Sequence, residues 1–286
     1  IARETNRCII GTSVTDCFRL NTGVLAQAAM TLQNLSNGRF ILGIGMGEAQ
    51  NITPYGISYN RKISRLSETV ICLKKLWHGE PVSYRGEFVT LDRATIKPKP
   101  SHLIPVWIAA NSSKTIELTG KIGDGWLPLA VRFPPEQYAN SLNIIKRYVK
   151  DFSQFEPALF IHTLCNKNRE NAWRQALEGG KLMLVMWVPE IFEKYGHTVE
   201  PLFHADKLIF DDKTIHLLKK KLKELPDEPV YQRLTVGNPD DCISSLEKYV
   251  KAGVRHFVLS FLTSADQLAE SIKFYKEKVI SYFWGR

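Results

Sequence analysis

The chain has 286 residues, 44% of them hydrophobic and 23% charged, enough apolar material for a sizeable globular core. Its formal net charge is +9, but the positive residues are scattered. No zinc-finger spacing, aromatic RNA-binding signature or basic arm accompanies them, so nucleic acid is not an expected partner. No apolar run approaches the ~18–20 residues that span a bilayer, so no membrane is expected either.

In chain order, residues 7–14 are short and β-branched and read as a buried strand. Residues 22–35 place Val24, Leu25, Ala28, Ala29, Leu32 and Leu35 at the spacing of an amphipathic helix, which Asn37-Gly38 ends. Residues 39–45 form the next buried strand, 46–59 a long polar loop, and 62–77 a helix. A hairpin with Arg85-Gly86 at its tip is predicted over 82–91, and Pro98 and Pro100 mark an irregular connection. Strand 106–110, helix 113–122 and strand 125–129 follow, then a helix opened by Pro134-Pro135 and running to about Val149.

Residues 158–165 read as a strand and 169–187 as a helix. A less regular, mostly helical insertion over 189–227 either covers the mouth of the fold or forms a dimer surface. It carries the densest basic run, Lys219-Lys220-Lys221-Leu222-Lys223, whose spacing and acidic neighbours Glu224, Asp227 and Glu228 mark a solvated helix face. Helix 239–252, strand 254–260 and helix 265–283 close the chain.

Strands alternating with helices predict an α/β fold with a parallel sheet, in one domain because no Gly/Ser-rich linker divides it. About six parallel strands are legible, two short of a closed (β/α)8 TIM barrel. A parallel sheet with uncovered edges is unstable. The expected fold is therefore such a barrel with its first two βα units preceding Ile1, and an open sheet is the alternative. The five cysteines are far apart, with no Cys-x-x-Cys pair, which speaks against a metal site or disulfide framework and for a reducing cytoplasm. Cys72 and Cys165 read as core thiols.

Three loops at the C-terminal ends of predicted strands carry the candidate chemistry. The first, residues 11–16, includes Ser13, Val14 and Thr15; its small residues allow a flat ring to approach the backbone, and it reads equally as an ordinary polar exit. The second runs Gly43-Ile44-Gly45-Met46-Gly47-Glu48-Ala49-Gln50-Asn51. It is not a dinucleotide fingerprint, because Glu48 stands where the third glycine belongs. Glu48, partly desolvated beside a ring, would suit a proton donor or acceptor; the alternative is a solvated loop glutamate. The third, Ala109-Ala110-Asn111-Ser112-Ser113, ends a strand and opens a helix, an arrangement suited to phosphate. Ser112 and Ser113 serve equally as N-caps. Arg132 and Arg233 are candidates for an anionic substrate group, although isolated arginines more often form surface ion pairs. His162 and His256, both in strands, read as satisfied core residues.

Together these segments resemble the luciferase-like family of oxidoreductases. The resemblance is carried by residues 35–45, then by Arg65-Leu66-Ser67-Glu68-Thr69, Leu76-Trp77, residues 104–110, residues 120–126 and Val236-Gly237-Asn238-Pro239-Asp240. Residues 11–16 and 47–51 are most similar to the branch that uses the deazaflavin coenzyme F420, which includes methylenetetrahydromethanopterin reductase and dehydrogenases of alcohols and glucose 6-phosphate. The resemblance implies a cis peptide between Ser13 and Val14 behind the coenzyme, with Ser13, Val14 and Thr15 in its site. It further implies Glu48 beside the reacting ring as the catalytic group, Met46 and Asn51 along it, and Ala109, Ala110, Asn111, Ser112 and Ser113 around the phosphate. The expected activity is hydride transfer between F420 and a small-molecule substrate by a homodimer. An FMN-dependent monooxygenase and a non-catalytic flavin- or deazaflavin-binding protein are the alternatives.

Overall fold

Apart from one antiparallel hairpin, the strands pair in parallel, and most are followed by a helix. A computed structural model describes residues 1–284. The chain divides into two units: Ile1–Leu127 with Ser141–Pro157, and Pro128–Asn140 with Ala158 onward.

In the first unit, β1 (Ile10–Gly11) and β2 (Thr15–Asp16) replace the single strand expected over 7–14. Between them the Thr12 hydroxyl turns onto the Gly43 carbonyl at 2.7 Å and breaks the ladder. Asn21 caps α1 (Thr22–Leu35), which buries Leu25, Ala26, Ala29 and Met30. Next is β3 (Phe40–Gly45), paired with β1 at Ile10↔Phe40 and with β2 at Thr15↔Ile44. The loop expected over 46–59 contains a one-turn helix, α2 (Ala49–Ile52), because a helical turn puts Ala49 and Ile52 on one buried side.

Helix α3 (Lys62–Trp77) follows, then the hairpin of β4 (Val82–Arg85) and β5 (Thr90–Ala94). Beyond it, β6 (Val106–Ile108) pairs with β3 at Leu42↔Val106. Helix α4 (Ser113–Ile122) leads to β7 (Gly125–Trp126), which pairs with β6 at Trp107↔Gly125. Helix α5 (Pro135–Lys146) and strand β8 (Glu156–Cys165) each lie partly in both units.

Glu68 on α3 anchors the hairpin. Its carboxylate accepts the backbone N–H groups of Glu87, Phe88 and Val89 at 3.0, 2.8 and 3.0 Å. Burial alone would raise its pKa, but these three donors and the Arg65 charge outweigh it and hold the carboxyl below its ordinary value. A depressed folded pKa means the contribution is complete above the unfolded value and is lost as pH falls through the folded one. Glu68→Gln is expected to cost about 1–2 kcal/mol at neutral pH, discounted for partial exposure. The difference from wild type should shrink in acid, as chemical denaturation at both pH values would show.

In the first unit, β7 ends short of the strand expected over 125–129, and Pro128, where the second unit begins, has no N–H for the ladder. Its carbonyl accepts the Phe160 N–H at 2.9 Å, and Leu129 pairs with Phe160 only as an isolated bridge. Helix α6 (Arg169–Trp187) follows β8, capped by Asn168. The insertion holds α7 (Asp212–Glu224) and shares the core of the second unit: Phe192, Phe203 and Leu208 belong to one buried cluster with Leu218 and Leu222 of α7, Ala172, Ala176 and Leu184 of α6, and Leu164 of β8. On α7, Lys219, Lys220 and Lys223 are exposed. Lys221 pairs with Glu200 at 3.1 Å and Glu224 at 3.9 Å, so the basic run is a solvated face.

Helix α8 (Glu228–Arg233), strand β9 (Thr235–Gly237) and helix α9 (Pro239–Lys251) lead to β10 (His256–Phe261). Both β9 and β10 pair in parallel with β8. The helix expected over 265–283 begins later, as α10 (Leu268–Tyr275), and passes through a wider turn at Lys276–Ile280 before α11 (Ser281–Trp284). Among the described residues, no helix is long and apolar enough to cross a membrane.

Candidate functional site

The three loops singled out from the sequence all belong to the first unit, and two glycines let them meet. A Cβ on Gly43 would stand 1.9 Å from the Thr12 carbonyl oxygen and 3.1 Å from a Val14 methyl. Only a bare Cα fits there. One on Gly45 would lie 3.2 Å from both the Val14 side chain and the Ala109 Cβ. Val14, Gly45 and Ala109 therefore form one side-chain-poor ledge, drawn from three successive strand ends. Val14 is 39% exposed on it. The Ser13–Val14 peptide is cis, as the family resemblance implied.

Asp16 holds the turn behind this ledge. It is buried, and its carboxylate accepts the N–H groups of Phe18 and Arg19 at 2.8 and 2.9 Å and the Arg19 Nε–H at 2.6 Å. The neighbouring Cys17 thiol is pushed up to about 12 by burial, with the Asp16 charge adding to it, so it stays protonated. Gly47 follows with φ +71°, and its carbonyl accepts the Tyr59 hydroxyl at 2.6 Å. Tyr59 packs on Phe18 with ring centroids 5.3 Å apart. The sequence gives no local sign of this brace, because Gly47 and Tyr59 meet only after the loop folds back.

Glu48 occupies the N-cap position of α2 in extended backbone. It is half-buried, and its Oε2 accepts from Gln50 Nε2 at 2.5 Å. That bond turns the carboxylate to one orientation. Met46 is half-buried and Asn51 exposed, on either side of Glu48. The structure brings Val14 and Ala109 to either side of Gly45, whereas Glu48 bonds to Gln50 and has no hydrogen bond to either.

In the third loop, the Ala109 N–H donates to the Ile44 carbonyl at 2.9 Å, and the buried Ala110 carbonyl accepts from Trp126 Nε1 at 2.9 Å. Ser112 and Thr115 cap α4 together: the Ser112 N–H donates to Thr115 Oγ1 at 3.0 Å, and their hydroxyls lie 3.0 Å apart. Ser113 and Lys114 are exposed in the first turn, which carries no acidic residue. The first N–H groups of a helix lack intrahelical partners, and with the dipole they favour an anion. Asn111 is half-buried. A bare ledge beside an anion-favouring helix end fits a flat ring bearing a phosphate.

Elsewhere, Cys72 and Cys165 are buried, as expected of core thiols. In the second unit, Arg132 donates to the Trp187 carbonyl and Arg233 to the Val131 carbonyl at 3.3 Å. Among the described residues neither is in an ion pair, contrary to the usual behaviour of isolated arginines.

A family model described as luciferase-like monooxygenase matches residues 1–256 of the chain. An F420-dependent glucose-6-phosphate dehydrogenase of Nakamurella multipartita is 29% identical over 268 residues, covering 90% of this chain and 73% of that protein. A phthiodiolone/phenolphthiodiolone dimycocerosates ketoreductase of Mycobacterium tuberculosis is 29% identical over 269 residues, covering 89% and 70%. Among solved structures, an F420-dependent secondary alcohol dehydrogenase in complex with an F420–acetone adduct superposes with a TM-score of 0.78 at 21% identity, covering 97% of this chain and 80% of that one. The coenzyme F420 dependent tetrahydromethanopterin reductase of Methanopyrus kandleri gives 0.77 at 19% identity, covering 99% and 85%. At these identities the superpositions speak to the fold, an α/β fold of the luciferase-like barrel type.

Proposed function

This chain belongs to the luciferase-like monooxygenase family, and from that premise we propose that it is an oxidoreductase that uses coenzyme F420 to transfer a hydride to or from a small organic substrate. The observation that carries the reading is the ledge of Val14, Gly45 and Ala109, with the exposed N-terminus of α4 in the same unit. The names of the curated relatives support the choice of coenzyme.

When bound, the deazaflavin supplies a carbon that accepts or gives a hydride. The residues of the chain supply the rest. Ser13, Val14 and Thr15, with Met46 and Asn51, would line the ring. Ala109, Ala110, Asn111, Ser112 and Ser113 would hold the phosphate, through backbone N–H groups and the helix dipole. Glu48, oriented by Gln50, would take or return the proton at the substrate heteroatom, an oxygen in an alcohol or sugar and a nitrogen in a methylenetetrahydromethanopterin-like compound. The substrate within this reading is an alcohol, a sugar phosphate or a methylenetetrahydromethanopterin-like compound.

Titrating the protein separately with F420 and with FMN tests the coenzyme. We expect saturable F420 binding and at least tenfold weaker FMN binding, a gap of about 1.4 kcal/mol. Tight FMN binding without F420 binding would overturn this reading in favour of a flavin-dependent monooxygenase.

A further inference from the structure

Between helices α3 and α4, wholly within the first unit, lies an open cavity of about 410 Å³. The two helices are neighbours because the strands that precede them, β3 and β6, pair in parallel. Residues three and four apart share one side of a helix. Ile63, Ser64 and Ser67 therefore line the cavity from one side of α3, and Lys114, Leu118 and Lys121 from one side of α4. Its volume is that of an ordinary small-ligand pocket.

Some of the polar groups around it already have partners. The Glu68 carboxylate is spent on the N–H groups of the hairpin. Lys121 pairs with Glu117 at 3.8 Å and lies 4.8 Å from the centroid of the Tyr148 ring. Three groups are left over. The half-buried hydroxyls of Ser64 and Ser67 and the exposed ammonium of Lys114 make no hydrogen bond or ion pair among the described residues. A hydroxyl within a helix can turn back on the carbonyl one turn earlier, as Thr119 does on Thr115 at 2.8 Å. Ser64 and Ser67 do not.

The chemistry of a ligand follows from what is left over. An ammonium and two hydroxyls offer donors, and the carboxylates at the wall are already paired, so the ligand must bring acceptor atoms. One unpaired positive charge balances a monoanion, whereas Glu68 and Glu117 at the same wall oppose a second negative charge. Ile63 and Leu118 are half-buried and give the body of the ligand an apolar seat.

We propose that this cavity is a ligand site in its own right, which takes a monocarboxylate with a short aliphatic body. The carboxylate bonds to Lys114 and to the hydroxyls of Ser64 and Ser67, and the body packs on Ile63 and Leu118. The site does not rest on the coenzyme reading, and its occupancy is measured without F420.

The test follows the methyl resonances of Ile63 and Leu118 by NMR, at neutral pH and constant ionic strength, with butyrate, 1-butanol and inorganic phosphate as probes. Saturable movement with butyrate is expected, and at least fivefold weaker binding of the other two. Lys114→Met keeps the aliphatic stem and removes the charge; it should weaken butyrate about tenfold and leave 1-butanol unchanged, as expected for a lost hydrogen bond to a charged group. Replacing Ser64 and Ser67 together by Ala should weaken butyrate a further fewfold without lowering Tm, because neither hydroxyl has a partner to lose. Phosphate that moves the Ser113 amide but neither methyl has bound the end of α4, which supports two separate sites. Shifts with butyrate that do not saturate overturn the proposal. So do equal affinities for butyrate and either other probe, or a Met variant that binds butyrate as the wild type does.

Discussion

Glu48→Gln is expected to lower kcat by roughly 10²–10⁴-fold, the usual worth of a positioned general acid or base, while leaving the dissociation constant of F420 within about threefold. The two carboxamides at positions 48 and 50 would still bond to each other, so the turn into α2 should survive. Pre-steady-state hydride transfer, followed by the deazaflavin absorbance, measures the first quantity and equilibrium titration the second. A variant that turns over normally would remove Glu48 from the chemistry. A variant that neither binds nor turns over would make it a structural residue of the loop.

Gly43→Ala is the second large effect. The added methyl would stand 1.9 Å from the Thr12 carbonyl oxygen and 3.1 Å from Val14, and the first of these is backbone. The loop that carries Ser13 and Val14 must shift, at a cost of about 1–3 kcal/mol typical of overpacking. Coenzyme affinity should fall at least tenfold, because the displaced residues form the ledge itself. Denaturant unfolding and F420 titration read the two losses separately. A variant with wild-type affinity would show that the coenzyme does not lie on this surface.

Much of the fold is legible in the sequence where local rules and packing agree. Residues 169–187 read as a helix and form one, because Asn168 caps it and Pro189 follows its end. Misreadings arose where a non-local bond overrode periodicity. The strand expected over 7–14 is split by a hydroxyl contact to a residue 31 positions away. The insertion over 189–227 looks irregular as a sequence, yet Phe192 and Leu208 are fully buried against α6 and α7. Glycine spacing marked Gly43 and Gly45, but which atoms crowd them depends on the register of β3 with its neighbours. His162 looked like a satisfied core residue, yet its buried Nδ1 has no hydrogen-bond partner among the described residues; a sequence reports apolar surroundings and not the missing partner.

The ledge has a consequence for how the first unit opens and closes. Its residues come from segments that meet only when β3 is paired on both edges, so no single loop carries the surface on its own. Local fraying at Val14 or at Ala109 therefore erases it, and its population tracks that of the paired strands. A ligand seated there binds only the assembled state and transfers its binding free energy to the unit as a whole. Amide exchange at Thr12 and Ala109, whose N–H groups donate to Ile41 and Ile44 of β3, should slow together when the ligand is added, at residues far apart in sequence.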